Sequence, residues 1–164
     1  MDFSVIIPTH SPRPEVLRQT LEALKLQSLS QIQWELLIID NASTPPISVD
    51  LSWHTQAKVI IEPKLGLTSA RECGFRHACG ENLVLVDDDN LLAPDYLKEA
   101  LNLLKTHSNL GALGGKCLPR FEQHPPAWWE PHLANLLACR DLGDRSKIST
   151  GLFNEQLQRN DYPL

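Results

Sequence analysis

Four short apolar segments, separated by stretches with helical periodicity, restrict the possible folds of this chain more than any other feature. The apolar segments predict strands at Val5–Pro8, Trp34–Ile39, Lys58–Glu62 and Leu83–Val86. Apolar residues at helical spacing predict helices at Pro14–Gln27 and Thr68–Cys79, and a third helix after Pro94 with Leu97, Leu101 and Leu104 on one face. Strands that alternate with helices are typical of an α/β fold with a mainly parallel central sheet.

Weaker patterns predict the remaining details. In the second helix, the residues expected to face the core are Ala70, Gly74, Phe75 and Ala78. A fifth strand is predicted at Gly111–Leu118, followed by an ordered loop at His124–Pro131 and a short helix at Leu133–Cys139. Residues 141–164 show little periodicity. With 164 residues, the chain has room for one domain or slightly more.

The charge balance argues against a nucleic-acid partner. Fifteen basic and twenty acidic side chains give a net charge of −5, and the basic residues are scattered rather than grouped on one stripe. If the substrate carries phosphate, the chain must bind it locally, through a few basic side chains or a metal ion. The sequence therefore favours a small phosphorylated ligand over a polyanion.

Cysteine spacing and the apolar segments bear on the location of the protein. The four cysteines form no Cys-x-x-Cys pair and lack the dense spacing of a secreted disulfide framework, which predicts reduced thiols. The first residues lead directly into a strand without the basic start of a signal peptide, and no segment has the roughly 18 apolar residues of a membrane helix. We therefore expect a cytoplasmic protein whose membrane contact, if any, is peripheral and at the inner membrane surface.

Three consecutive carboxylates, Asp87, Asp88 and Asp89, follow the fourth predicted strand. In a half-buried setting they repel one another unless a cation or strong donors neutralise them. Mg²⁺ or Mn²⁺ suits this task, because such ions accept one or two carboxylates together with phosphate oxygens and water. Taken alone, the cluster is equally consistent with acidic residues at an ordinary turn, where Asp89 or Asn90 caps the next helix.

The ends of the other strands favour the ligand site. The polar or glycine-containing sets at these ends are Pro8-Thr9-His10, Asp40-Asn41-Ala42-Ser43, Gly66-Leu67-Thr68-Ser69-Ala70-Arg71 and Asp87-Asp88-Asp89-Asn90. Ligands of open α/β sheets bind at the carboxyl ends of the strands, so these sets are expected to converge. Receiver domains and haloacid-dehalogenase-like phosphatases do not fit, because both need an acidic residue after the first strand.

In order and spacing these motifs resemble family 2 glycosyltransferases of the GT-A fold. The resemblance rests on an opening strand that ends in Pro-Thr, a Glu-apolar-Asp-Asn-x-Ser stretch, a Gly-x-x-x-Ala-Arg-x-x-Gly helix start and a strand that ends in Asp-x-Asp. It covers roughly residues 3–118. It implies a three-layer GT-A fold with a nucleotide-sugar-binding domain at 1–118, and the incomplete start of an acceptor-side region at 119–164.

The resemblance also implies a role for individual residues. The residues implied to bind the nucleotide sugar are Pro8, Thr9, His10, Asp40, Gly66, Arg71, Asp87 and Asp88, and those implied to bind Mg²⁺ or Mn²⁺ are Asp89 and Asp87. Asp40 would accept a hydrogen bond from uracil, Arg71 would face the base or diphosphate, and Asp88 would bind the ribose hydroxyls. Three simpler roles stay open: Arg71 as a helix surface residue, Asp40 as a turn-former and Gly66 as a backbone requirement.

The implied activity is metal-dependent transfer of a sugar from a UDP-type donor to a hydroxyl of a carbohydrate or lipid-linked acceptor, with inversion. Inversion needs a general base, which the resemblance places beyond Leu164, so we expect a truncated chain. The downstream acids are not assigned that role: Glu122, Glu130, Asp141, Asp144 and Glu155. Trp128 and Trp129 are candidates for a sugar-stacking platform, and equally for a core or lid role.

Two alternative functions remain. A catalytically inactive module that binds a nucleotide sugar would keep the same motifs. A sugar-phosphate nucleotidyltransferase shares a similar sheet, but it carries a Gly-rich loop with a basic residue directly after the first strand, where this chain has Thr9-His10-Ser11-Pro12-Arg13.

Overall fold

A computed structural model describes residues 1–125, 128, 129, 133, 139–141, 143, 147 and 148. The chain divides into two compact units, Met1–Leu110 and Gly111–Leu164. The first unit contains every regular helix and strand of the described residues.

The first unit is built on a four-stranded parallel sheet. Its strands are β1 (Phe3–Thr9), β2 (Trp34–Asp40), β3 (Ala57–Ile61) and β4 (Asn82–Leu85), in the spatial order β3-β2-β1-β4. All seven residues of β1 and of β2 are buried, as expected for central strands with near-continuous apolar sequence. The four strands predicted from the sequence are therefore confirmed, with boundaries shifted by one or two residues.

Three helices cover the two faces of this sheet. They are α1 (Pro14–Lys25), α2 (Leu67–His77) and α3 (Tyr96–Thr106), and a single 3₁₀ turn at Gln31–Gln33 precedes β2. Pro14 suits the start of α1, because the first turn of a helix needs no backbone donor there. Both helices α1 and α3 share one core with the sheet, whereas α2 packs in a separate core on the other face. The result is the three-layer arrangement that the family resemblance implies.

The core on the α1 and α3 face is the larger of the two. Its buried members include Phe3, Val5 and Ile7 of β1, Leu17, Leu21 and Leu24 of α1, and Leu97 and Leu101 of α3. The α2 face is formed by Ile6, Leu37, Ile39, Ala70 and Cys73. Each fully buried aliphatic side chain contributes about 1.5–3 kcal/mol relative to exposure, so these two clusters fix the positions of the helices on the sheet.

A polar cluster attaches the end of α2 to the amino-terminal edge of the sheet. The Ser4 hydroxyl donates to Oε1 of Glu35 at 2.6 Å, and the same carboxylate oxygen accepts the backbone N–H of Cys79 at 2.6 Å. The Ser4 oxygen in turn accepts the N–H of Gly80 at 2.8 Å. Because Ser4 and Glu35 are both buried, these bonds position the turn between α2 and β4.

Two predictions about the elements are wrong. No strand forms at Gly111–Leu118 in the described residues, where Cys117 makes only an isolated antiparallel bridge with Arg140. The side chains of residues 111–118 are exposed, so this segment buries no apolar face. Its glycines weaken a strand further. Phe75 is 43% exposed instead of facing the core, because the inward face of α2 is lined by Ala70, Cys73 and Gly74.

Some predictions fall on residues that the structure does not cover. Most of the predicted helix at Leu133–Cys139 and part of the loop at His124–Pro131 lie outside the described residues. Among the helices that are described, none has the length and apolar character needed to cross a membrane.

Candidate functional site

The carboxyl ends of β1, β2 and β4 meet at one edge of the sheet. The register pairs Thr9 with Asp40 across β1 and β2, and Ile6 with Leu85 across β1 and β4. Continuing the second pairing beyond β4 places Asp88 level with Thr9. A cavity of about 280 Å³ opens at this edge. It is lined by Pro8, Thr9, His10, Asn41, Leu65, Gly66, Leu67, Ala70 and Asp88.

Asp88 is held from two sides. The Thr9 hydroxyl donates a hydrogen bond to Oδ2 of the Asp88 carboxylate. The hydroxyl of Thr20, a buried residue of α1, donates to the backbone carbonyl of Asp88 at 2.9 Å. The acidic segment is therefore fixed by β1 through its side chain and by α1 through its backbone.

The loop after the acidic segment is attached to the end of α1. The Gln27 amide donates to the carbonyl of Ala93 at 2.7 Å and accepts the N–H of Leu97, at the start of α3, at 3.0 Å. The N–H of Ser28 donates to the carbonyl of Pro94 at 2.8 Å. The N–H of Leu97 is one of the backbone donors that a helix start leaves without an intrahelical partner, so Gln27 also stabilises the start of α3.

The loops after β1 and β2 are joined to each other. Nδ1 of His10 lies 2.7 Å from the carbonyl oxygen of Asn41, so this nitrogen carries the proton and donates. The N–H of Ser11 donates to the hydroxyl of Ser43 at 2.9 Å. Ser11 and Ala42 have positive φ values of 46° and 58°, which non-glycine residues adopt infrequently. Such conformations persist where surrounding contacts impose them, and they cluster at ligand sites.

Asn41 connects the end of β2 to the loop that precedes α2. Its side-chain amide donates to the carbonyls of Glu62 at 3.1 Å and Lys64 at 2.7 Å, while Oδ1 accepts the N–H of Gly66 at 2.7 Å. Gly66 has φ of 135°, a conformation that favours glycine. The predicted backbone requirement at Gly66 is therefore present, and Asn41 shapes the wall of the cavity.

Asp40 is buried at the end of β2, with 2% of its surface exposed. Its two carboxylate oxygens accept the N–H groups of Ser43 at 3.1 Å and Ile47 at 3.0 Å. Burial alone would raise the pKa of Asp40, but hydrogen bonds from Ser43 and Ile47, with His10 nearby, hold the pKa below its ordinary value. Asp40 therefore has the turn-forming role. Each carboxylate oxygen keeps a second lone pair that can accept another hydrogen bond, and the contact with uracil stays a prediction.

Arg71 and Asp87 form an ion pair at 3.6 Å, with 37% and 55% of their side chains exposed. Arg71 follows the cavity-lining residue Ala70 in α2. Its Nε atom is buried and has no hydrogen-bond partner in the part of the chain that the structure describes. Because the Arg71 side chain is partly exposed and its ion pair with Asp87 is long, the guanidinium can also donate to a ligand oxygen.

Asp87 and Asp89 are exposed and offer the hard oxygen ligands that Mg²⁺ and Mn²⁺ prefer. The described residues contain no group of three or more Asp, Glu, His or Cys side chains gathered around one point. One or two carboxylates completed by phosphate oxygens and water are sufficient for these ions, so the donor set present fits a metal that arrives with a diphosphate.

Residues 4–132 match the sequence model of glycosyl transferase family 2. This match spans most of the 164 residues and includes every strand end that forms the cavity. The chain belongs to this family.

Curated relatives of this family 2 chain are longer than the chain itself. It is 29% identical to an uncharacterized glycosyltransferase of Haemophilus influenzae over 109 residues, which cover 66% of this chain and 36% of the relative. It is 31% identical to a dolichol-phosphate mannosyltransferase of Pyrococcus furiosus over 120 residues, which cover 71% of this chain and 33% of the relative. The chain therefore spans about a third of the length of these proteins.

Solved structures with the same fold include an S. aureus protein and a mannosyltransferase. The S. aureus protein TarS 1-349, in complex with UDP, gives a TM-score of 0.58 at 24% identity. The match covers 73% of this chain and 38% of the TarS chain. The mannosyltransferase PcManGT from Pyrobaculum calidifontis, in complex with GDP-Man and Mn²⁺, gives a TM-score of 0.56 at 25% identity. The match covers 72% of this chain and 35% of the PcManGT chain. The family 2 chain therefore has the GT-A fold.

Five of the residues predicted to bind a nucleotide sugar line the cavity together: Pro8, Thr9, His10, Gly66 and Asp88. Asp40 is held in its own turn, and Arg71 pairs with Asp87. The sequence places Asn41 in a set expected at this edge but assigns it no role, and it does not single out Thr20. Asn41 stands directly after a buried strand, and Thr20 lies on the apolar stripe of α1 between Leu17 and Leu24, so a polar residue in each context was the available signal.

Proposed function

We propose that this chain is the donor-binding part of a glycosyltransferase that uses a UDP-sugar with Mg²⁺ or Mn²⁺. The sugar is transferred to a hydroxyl of a carbohydrate or lipid-linked acceptor, with inversion. The observation that carries the proposal is the cavity in which Thr9, Asn41 and Asp88 meet at the carboxyl edge of the sheet.

The cavity suits the nucleoside half of such a donor. Its volume of about 280 Å³ lies just below the range of about 300 to 1,000 Å³ for sites that enclose drug-sized ligands. Leu65, Leu67 and Ala70 supply apolar wall for a base. Asp88 is a suitable acceptor for ribose hydroxyls, because its position is already fixed by Thr9 and Thr20.

The diphosphate half would meet the charged groups beside the cavity. The Arg71 guanidinium can donate to phosphate oxygens, and Asp87 and Asp89 can hold a divalent ion. When bound, that ion would stabilise the negative charge that builds on the leaving diphosphate. The complex of PcManGT with GDP-Man and Mn²⁺ supports this combination of nucleotide sugar and metal, since that protein is 25% identical to this chain.

The same proposal assigns the donor and the acceptor to different parts of the chain. Residues 1–118 bind the donor, and residues from 119 onward begin the side that receives the acceptor. We place the general base outside the donor site, because the carboxylate that lines the cavity, Asp88, is assigned to the ribose hydroxyls.

Calorimetric titration tests donor binding directly. UDP, GDP and ADP are each titrated into the chain with and without Mn²⁺. We expect Mn²⁺-dependent binding that is stronger for UDP than for the other two. Equal binding of all three nucleotides, or binding unaffected by Mn²⁺, would contradict the proposed donor and metal.

Two variants assign the metal role. Asp89→Ala should abolish Mn²⁺-dependent UDP binding, because it removes a ligand oxygen of the ion. Glu72→Ala is the matched control, since Glu72 is an exposed acid of α2 that does not line the cavity. Unchanged UDP affinity in Asp89→Ala would remove Asp89 from the site.

A further inference from the structure

Cys117 and Cys139 lie close together in the second unit. The backbone N–H of Cys117 donates to the carbonyl of Arg140 at 2.8 Å, and the N–H of Arg140 donates back to the carbonyl of Cys117 at 3.1 Å. Next to this bridge, Lys116 pairs with Asp141 at 3.0 Å. Cys139 immediately precedes the bridged residue, so the two cysteines are held near each other by backbone bonds and an ion pair.

The spacing allows a disulfide bond. Opposite residues of a hydrogen-bonded antiparallel pair have Cα atoms about 5.5 Å apart. The residue next to the opposite one is then about 6.5 Å away, inside the upper end of the range of about 4.4 to 6.8 Å that a disulfide requires. The Cys117 and Cys139 side chains are within hydrogen-bond reach of each other, so they do not point to opposite faces of the bridge.

The side chains themselves interact. Burial raises the pKa of the Cys139 thiol, and the neighbouring Cys117 raises it further through the negative charge of its thiolate form and a hydrogen bond between the two side chains. Cys117 is exposed, whereas Cys139 is half-buried. The exposed thiol is therefore the one that a reagent in solution reaches first.

We propose that Cys117 and Cys139 form a reversible redox pair, whose intramolecular disulfide closes the segment between them. The pair shares no residue with the cavity at the carboxyl edge of the sheet, whose lining residues all belong to the first unit. The closed segment contains Trp128, which is 70% exposed, and Trp129, which contacts Phe121 with ring centroids 5.1 Å apart. Oxidation would tie together the two ends of this aromatic segment.

The oxidant is a small disulfide such as oxidised glutathione. The Cys117 thiolate attacks one sulfur of the oxidant, forms a mixed disulfide and releases one glutathione thiolate. The Cys139 thiol then loses its proton and attacks the Cys117 sulfur, which releases the second glutathione. In balance, two protein thiols become one disulfide, and one oxidised glutathione becomes two reduced glutathione molecules.

Tryptic mapping of the whole chain tests the pairing. The reduced protein is incubated with oxidised glutathione, quenched with acid and a thiol-blocking reagent, and digested without reductant. Trypsin cleaves after Lys116, Arg120 and Arg140, so Cys117 and Cys139 fall on the separate peptides 117–120 and 121–140. We expect these two peptides joined, with a loss of two hydrogen atoms from the intact mass and full recovery of both thiols with excess reduced glutathione.

Variants distinguish this pairing from general thiol reactivity. Cys139→Ser should accumulate the Cys117 mixed disulfide with glutathione several-fold above the unaltered protein, because the second thiol no longer resolves it. Cys79→Ser, at an exposed cysteine outside the pair, should leave the joined peptides unchanged. Glutathione adducts as the final product, a covalent dimer, a link to Cys79, or no accumulation in Cys139→Ser would each overturn the proposal.

Discussion

The Thr20 hydroxyl donates a 2.9 Å hydrogen bond to the backbone carbonyl of Asp88, across 68 residues of sequence. Thr20 is fully buried in α1, and it also approaches the carbonyl of Val16 at 3.4 Å. No other hydrogen bond to the Asp88 carbonyl is present among the described residues. The middle carboxylate of the acidic segment is therefore positioned from a helix that does not itself line the cavity.

Replacement of Thr20 by Val removes this bond while keeping the shape of the side chain. An unsatisfied buried carbonyl costs about 1–3 kcal/mol. If about half of that cost falls on the site, Mn²⁺-dependent UDP binding weakens by roughly two- to tenfold. Thr106→Val is the matched control, because its hydroxyl also donates to a carbonyl four residues earlier, at 2.8 Å, but at the exposed end of α3. Equal UDP affinities in the two variants would contradict the positioning role of Thr20.

Asn41→Asp tests the connection between β2 and the loop before α2. The new carboxylate oxygen would replace an amide donor that faces the carbonyls of Glu62 and Lys64, so two hydrogen bonds become repulsive contacts. We expect a loss of about 1–3 kcal/mol in the free energy of unfolding, measured with urea, together with weaker UDP binding. The same change at the exposed Asn102 of α3 should alter neither quantity. A stable Asn41→Asp protein with unaltered affinity would refute the role of these bonds.

The sheet could be predicted from sequence because central parallel strands are apolar on both faces. Trp34–Ile39 needs no partner information to be recognised, and the positions of polar residues after each strand follow from the common direction of the strands. Apolar spacing likewise located α1 and α3, whose inward residues form one stripe.

Predictions that depend on packing partners were less successful. Gly111–Leu118 has short apolar stretches, but a strand also needs a neighbour to pair with, and only Cys117 finds one in the described residues. The roles of Asn41 and Thr20 depend on bonds to residues 21 and 68 positions away, which local sequence does not encode. The helical period of α2 predicts that Phe75 faces the core. Instead, Gly74 faces the sheet, and its lack of a side chain lets α2 approach Ile6 closely.

Gly80→Ala tests the close approach between the α2–β4 turn and β1. A Cβ atom at this position would overlap the backbone of Phe3 and Ser4, and β1 is fully buried and unable to move aside. We expect destabilisation by about 3 kcal/mol or more, at the upper end of overpacking effects. Gly111→Ala is the control, because its Cβ would meet nothing within 4 Å and should change stability by less than about 0.5 kcal/mol. Similar unfolding midpoints for the two variants would contradict this packing.

We expect His54 to make the fold less stable in acid. It is 2% exposed and stacks edge-on against Trp34, with ring centroids 4.2 Å apart, and against Trp53 at 5.4 Å. Its Nδ1 accepts the N–H of Gln56 at 3.2 Å, while Nε2 is buried without a partner in the described portion of the chain. Burial lowers the pKa of His54 below the ordinary value, because the charged imidazolium would be poorly solvated.

The direction of the pH effect follows from this lowered pKa. Above about pH 6.5, the usual pKa of histidine, His54 is neutral in both folded and unfolded chains and contributes nothing. As the pH falls below that value, the unfolded chain binds a proton that the folded chain does not, so the free energy of unfolding falls by up to about 1.4 kcal/mol per pH unit until the folded pKa is reached. His54→Phe should reduce the slope of the unfolding free energy against pH by an amount that corresponds to at most one bound proton. The slope is measured by urea unfolding at a series of pH values below about 6.5. Trp53→Phe, which disturbs the same ring cluster without removing a titrating group, should lower stability but keep the slope; equal slopes in the original protein and His54→Phe would show that His54 is not the acid-sensitive group.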